Sequence, residues 1–218
     1  MLKRIIAGLL AGALIACSGC SAVLSPAGSS ALTVREGGKS AGTSASGAAA
    51  SSAQNGSSVP VSGGSVEYYF PRGGQPAKPA LIGILKSAKT SLDMAVYSFT
   101  DTDIASAVVA DKKRGVAVRV ITDSGCAANR YQKTVLSELK AAGIPVKINT
   151  HGGLMHLKVS IVDRSVATTG SFNYTKGAEN ENDEVFVVLR SPKAAADFET
   201  QFARMWSDTG DFKNWSAS

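Results

Sequence analysis

Histidine is nearly missing from this chain of 218 residues, which carries only His151 and His156. Cysteine is almost as scarce: Cys17, Cys20 and Cys126. Two histidines and one cysteine in the body of the chain do not assemble a four-ligand zinc site. Cys17 and Cys20 lie near the start, so Cys126 stands alone and no internal disulfide framework is available. It reads as a small, partly buried residue rather than a reactive thiol. Long apolar runs are absent too. The run Ile5 to Ala16 is too short to span a bilayer comfortably. No internal repeat is visible, so any motif here occurs once. Charge of one sign does not dominate: 23 Lys and Arg face 17 Asp and Glu, a formal +6. Residues 66–218 hold 19 and 16 of these, or +3. Such mild basicity is compatible with a nucleic-acid partner without requiring one.

What is present divides the chain into three. Lys3 and Arg4 precede the apolar run, which ends at Cys17. That layout predicts a secretory signal peptide over residues 1–20. Leu14-Ile-Ala-Cys17 resembles a bacterial lipobox, which implies lipidation of Cys17; ordinary cleavage near Ser21-Ala22 is the alternative. The expected location is the periplasm or the cell envelope, with a lipid anchor to the membrane. Residues 21–65 are mostly Ser, Ala and Gly and read as a flexible tether. Residues 66–218 are the folded domain, long enough to bury a core.

Within that domain, strand and helix patterns alternate. Strands are predicted over 66–70, 92–98, 116–122, 145–149, 156–162, 166–169 and 184–189. Helices are predicted over 79–88, 102–114, 132–142 and 194–207. Leu81, Ile84 and Leu85 mark the buried face of the first helix. Phe198, Phe202 and Trp206 form a stripe on the last, fit for core or dimer packing. The sum is an α/β fold, a mixed central sheet with helices on both faces. Lys112, Lys113, Arg114 and Arg119 form a local basic concentration. It is either a solvated helix end or a rim contacting phosphates without reading sequence.

One stretch carries chemistry: His156-Leu-Lys158, Asp163, then Gly170-Ser171-Phe-Asn173. The pattern H-x-K-x4-D-x6-G-S-x-N fixes six positions. At about one residue in twenty each, chance supplies it on the order of 10⁻⁸ per starting point. On a strand, residues i and i+2 share a face, so His156 and Lys158 project together. Asp163 has the opposite parity and reads as a supporting group at the strand end. Gly170-Ser171 offers a tight approach where a phosphate could sit near backbone amides. Ser171 either touches substrate or orients Glu184. Asn182 and Glu184 share parity and could face the site. Glu179, Glu181 and Asp183 read as solvated loop. His151 reads as a loop residue near the site mouth.

The roles follow from the side chains. Neutral His156 can attack phosphorus and form a phosphohistidine. Lys158 and Asn173 can hold the non-bridging oxygens. Glu184 can accept from the other ring nitrogen of His156 and fix its tautomer. This chemistry needs no metal and no cofactor. The leaving alkoxide needs an acid.

The motif resembles that of the phospholipase D superfamily, and most closely its single-motif bacterial endonucleases. Ser91 to Thr100 and Gly115 to Asp123 resemble that family's first two core strands. Ala178, Asn182 and Glu184 resemble its downstream A-x3-N-x-E element. The resemblance covers about Val66 to Ser207. It implies a phospholipase D-like sandwich and a site where two motifs meet. Single-motif members pair two chains, so it implies a homodimer in which the second His156 is the acid. Two such imidazoles would titrate as a coupled pair. The expected function is a non-specific, metal-independent endonuclease on DNA, and RNA as a further substrate. Head-group hydrolysis of phospholipid is one alternative. A nucleic-acid-binding module with a dormant site is another.

Overall fold

The computed structural model describes residues 56–217. The signal-peptide and lipidation expectations, and the tether up to residue 55, lie outside the described residues. The chain order is β1 (Ser57–Val61), β2 (Gly64–Tyr69), α1 (Ala77–Lys86), β3 (Ser91–Val96), α2 (Thr102–Lys113), β4 (Ala117–Thr122), α3 (Ser124–Ala127) and α4 (Arg130–Ala141). It continues through β5 (Val146–Asn149), β6 (Lys158–Val162), β7 (Val166–Gly170), α5 (Lys176–Asn180), β8 (Phe186–Arg190), α6 (Pro192–Ser207) and β9 (Phe212–Asn214).

The nine strands form one sheet in the order β1-β2-β8-β7-β6-β3-β4-β5-β9. β3, β4 and β5 run parallel, and every other pairing is antiparallel. The pleat sends alternate residues to two cores. Met94, Val120 and Val162 join Leu81 and Leu85 of α1, Ile104 of α2 and Leu136 of α4. Ala95, Ile121 and Ile161 join Ala195, Phe202 and Met205 of α6. Helices therefore cover both faces of a mixed sheet, and the α/β expectation holds.

Local chemistry sets the helix starts. Asp101 caps α2 by accepting from the amides of Asp103 and Ile104, and Ser191 caps α6 ahead of Pro192. Lys78 Nζ of α1 pairs with the Asp101 carboxylate at 2.9 Å and with Asp103 at 2.6 Å, so the same cap ties α1 to α2.

Two expectations need correction. The tether was expected to reach residue 65, but 57–61 is a strand paired along its length with β2. Its backbone completes the sheet edge, a gain that Ser-rich composition hides. Arg119 was expected at a basic helix end or rim. It lies on β4 beneath α6, donating to both Asp93 oxygens at 2.6 and 2.8 Å and to Glu199 at 3.1 Å. Its guanidinium also stacks on Phe202, 4.9 Å from the ring centroid. That network pins α6 to the sheet. Arg114 is likewise engaged, donating to the carbonyls of Lys86 and Ala88.

Candidate active site

His156, Lys158, Ser171, Asn173 and Glu184 lie at one end of the sheet. There the chain leaves β3, β4 and β7 and enters β6 and β8. Val96 faces Lys158 across the β3–β6 pair, and Gly170 faces Phe186 across β7–β8. β6 begins at Lys158, so His156 precedes the strand rather than lying within it. The ladder still reaches back toward it, because the Tyr97 amide donates to the Leu157 carbonyl at 2.7 Å.

Tyr97 is the platform of the site. Its ring lies 4.5 Å from the His156 ring, centroid to centroid, and 4.9 Å from Lys158 Nζ. Lys158 Nζ is 3.1 Å from His156 Nε2 and also donates to the His156 carbonyl at 2.9 Å. An ammonium can only donate. Nε2 is therefore the acceptor and carries the lone pair a nucleophile requires. Lys158 is only 5% exposed. Burial lowers its pKa, while the nearby charges of Glu184 and Cys126 act in the opposite direction.

Glu184 is held from two sides. Ser171 Oγ donates to one carboxylate oxygen, and Asn182 Nδ2 donates to the other at 3.2 Å. Ser171 Oγ in turn accepts from the Val185 amide at 3.1 Å. Asn173 follows β7 between buried Phe172 and Tyr174. Tyr174 docks on the segment leaving β3: its amide donates to Ser98 O, and its carbonyl accepts from Thr100 and Asp101. That docking sets Asn173 beside the stretch that follows Tyr97. Its Oδ1 is buried with no partner among the described residues.

A cavity of about 530 Å³ opens at His156 and is also lined by His151, Leu154, Leu157 and Arg204. His151 thus stands at the mouth, its Nδ1 2.9 Å from the Gly152 carbonyl oxygen. The assembled groups are a nucleophilic nitrogen, an ammonium, a positioned carboxylate and a carboxamide, together suited to attack at phosphorus.

The sequence matches the family described as Cardiolipin synthase, PLD-like domain, over residues 81–206, more than half of the chain. The chain belongs to the phospholipase D-like family.

A mitochondrial cardiolipin hydrolase of Chlamydomonas reinhardtii is 36% identical over 122 residues, 56% of this chain and 54% of that one. A phospholipase D of Rickettsia prowazekii is 34% identical over 114 residues, 52% and 55% of the two chains. This chain spans about half the length of these curated relatives. The crystal structure of Nuc, a phospholipase D family member from Salmonella typhimurium, aligns over 70% of this chain and 98% of that one. Its TM-score is 0.65 and its identity 35%.

Not every residue of the phospholipase D-like motif lies in the site. Asp163, counted with the site residues but read as a supporting group at the strand end, sits at the opposite end of β6. Seven residues of extended chain put it roughly 20 Å from His156. Its carboxylate accepts from the amides of Lys89, Thr90 and Ser91 at 2.8, 2.7 and 2.9 Å. Burial alone would raise its pKa, but these donors outweigh it and hold the group low. Asp163 and Arg164 both have positive φ, at 49° and 52°, and form the tight turn from β6 to β7. Asp163 therefore fastens the β6–β7 hairpin to the start of β3.

The Gly170-Ser171 expectation also changes. Gly170 has φ 129°, and a Cβ there would lie 2.1 Å from the Val185 carbonyl oxygen. The Ser171 amide already donates to that same oxygen at 3.0 Å. Close approach of β8, rather than room for a phosphate, requires glycine here. Ser171 orients Glu184. Glu184 was also expected to accept from His156, but its hydrogen bonds within the chain go to Ser171 and Asn182. Glu179, expected to be solvated, caps α1 by accepting from the Ala77 and Lys78 amides.

Sequence reasoning missed Tyr97 as a site residue. The available signal was an aromatic at the end of a buried strand next to the motif's own partner strand. Cys126 touches the same region: burial raises its pKa, and its thiol beside Tyr97 raises that phenol in turn.

Proposed function

We propose that this phospholipase D superfamily member is a metal-independent phosphodiesterase acting on DNA, and on RNA as a further substrate. The observation that carries the reading is the 3.1 Å pairing of Lys158 Nζ with His156 Nε2 over Tyr97. In the proposed reaction, Nε2 attacks phosphorus in line with the leaving oxygen. The bond to that oxygen breaks as a phosphohistidine forms, and an acid protonates the departing alkoxide. Water then displaces His156 and restores the free ring. Lys158 and the Asn173 amide stabilise the equatorial oxygens. Glu184 keeps Lys158 charged.

The acid is the His156 of a second copy. Each chain carries one copy of the motif, and His151 lacks a lysine partner two residues on. Support for nucleic acid as substrate comes from the single-motif pattern, from the net +3 of residues 66–218, and from the near-complete alignment with Nuc. The basic and apolar leader before Cys17 supports a site of action at the cell envelope, with a lipid anchor.

One observation favours a second reading, hydrolysis of phospholipid head groups. An apolar groove of about 260 Å³, lined by Ala95, Val159, Phe198, Phe202 and Met205, shares Leu157 with the His156 cavity. It would suit an acyl chain, and relatives are named cardiolipin hydrolases.

The test incubates the protein with plasmid DNA, RNA and labelled phospholipid, with and without chelator. Chelator-resistant DNA cleavage, lost in His156→Ala and Lys158→Ala, is the expected result. Lipid cleavage alone would establish the second reading. DNA binding without turnover would mark a dormant site. Mixed particles of wild type and His156→Ala test the pairing: activity falls with the square of the wild-type fraction if two copies share one site, and in proportion if they do not.

A further inference from the structure

Behind Tyr97, on the side of β4 and α4, lies a second cavity of about 360 Å³. Tyr97 forms one wall, and the same ring carries His156 and Lys158. Leu154 lines both this cavity and the one that opens at His156. The cavity is thus one aromatic ring away from the reacting pair.

Two large side chains stand exposed at its mouth. Tyr131 and Leu154 both line it, and they are 58% and 60% exposed. The Arg130 guanidinium stacks on the Tyr131 ring at 4.5 Å and donates to its hydroxyl, which steadies the ring. The interior is polar but carries no cation. The Ser98 and Thr100 hydroxyls that line it have no hydrogen-bond partner among the described residues. Asn129 accepts from the Tyr131 amide through Oδ1, leaving its two Nδ2 protons free. Asp123 supplies negative charge, and its oxygens already accept from the amides of Cys126 and Met155.

These features select a ligand class. A phosphate would face Asp123 with no lysine or arginine in the lining to answer it. An acyl chain would bury hydroxyls and a carboxamide without partners. A planar, uncharged heterocycle with polar edges meets both demands. Its face can stack on Tyr131, and its edge can exchange hydrogen bonds with Ser98, Thr100 and Asn129. Arg130, at the mouth, gives one nitrogen to Tyr131 and keeps other guanidinium protons to meet the adjoining phosphate. We propose that this cavity is a nucleobase subsite, taking one unpaired base next to the phosphate under attack. The proposal rests on the nucleic-acid reading above and adds Tyr131 as a substrate-positioning residue.

Cut mapping tests it. The full chain is given a labelled single-stranded DNA oligonucleotide with one abasic residue, and cleavage at each linkage is measured. Wild type should cut the linkage whose subsite base is missing about tenfold less than its neighbours. In Tyr131→Ala that contrast should disappear, with all cuts lowered toward the abasic level, while Tyr131→Phe keeps it. Because Tyr131 is exposed, melting temperatures should match, separating lost stacking from lost fold. Equal cutting beside the abasic residue by wild type would overturn the subsite, as would an unchanged contrast in Tyr131→Ala; both leave the nuclease reading standing. Failure of wild type to cut any DNA or RNA would overturn that reading and this inference with it.

Discussion

Lys158 and His156 lie on the same face of Tyr97, with Nζ 3.1 Å from Nε2. One neutral ring therefore positions both a nucleophile and the charge that would meet the phosphate. A planar, apolar surface also limits water around the pair and strengthens the ammonium's field. Tyr97→Ala should lower kcat about 10- to 100-fold with a smaller change in KM. Tyr97→Phe retains the ring and should stay within a fewfold of wild type. Steady-state kinetics on a DNA substrate checks both.

In the proposed reaction Lys158 sets the alkaline limit. Its burial favours the neutral amine, so its proton is lost at lower pH than from an ordinary lysine, near 10.4. The amine cannot neutralise phosphate oxygens, so activity should fall as pH rises through that lowered value. Glu184 opposes the shift. Glu184→Gln should therefore move the alkaline limb to still lower pH, besides lowering the rate. A pH profile of kcat/KM for the two proteins reads the shift. Movement of the limb to higher pH would contradict the assignment.

Ser171 acts through Glu184. Its hydroxyl joins the carboxylate to the Val185 amide. Ser171→Ala removes a hydrogen bond to a charged group, worth about 1.5–3 kcal/mol where it is fully expressed. The expected result is a kcat loss of roughly 10- to 100-fold. Ser171→Thr keeps a hydroxyl and should recover much of it. Equal losses in both variants would assign Ser171 a packing role instead.

Asp163 contributes to stability rather than to the reaction. Its carboxylate collects three amide donors and the Thr90 hydroxyl. Asp163→Asn should destabilise by about 1–2 kcal/mol at neutral pH, with kcat per folded molecule unchanged. Asparagine tolerates the positive φ at this position, so the turn survives. The folded pKa is depressed, so the stabilisation is complete above the unfolded value near 3.9 and is lost as pH falls through the folded value. The gap between the two proteins in denaturant unfolding should close below about pH 4.

The legible parts of this molecule were those with strong periodicity. Helices α1, α2, α4 and α6 and the apolar strands around them follow from where Leu, Ile and Val fall. Strand parity anticipates that His156 and Lys158 share a face, although His156 precedes β6 and is held in register by the Tyr97–Leu157 hydrogen bond. The rest depended on contacts distant in sequence. β1 is Ser-rich and exists because β2 offers it an unpaired edge. The parity of Asp163 marks it as a supporting group, but only the contacts with Lys89, Thr90 and Ser91 show what it supports. Gly170 looks like a phosphate cradle until the Val185 carbonyl is placed against it. Arg119 reads as surface charge until Asp93 and Glu199 surround it. The cavity beside Tyr131 has no sequence signature, because the segment after β3, α3, the start of α4 and Leu154 build it together.

The central claim is that His156 forms a bond to phosphorus, and trapping that bond tests it most directly. The enzyme would be mixed with end-labelled DNA, quenched within a turnover under alkaline denaturing conditions that preserve phosphohistidine, and digested for peptide mass spectrometry. A nucleotide adduct on His156, absent in His156→Ala, is the predicted result. Full turnover with no adduct, or an adduct on another residue, would contradict it.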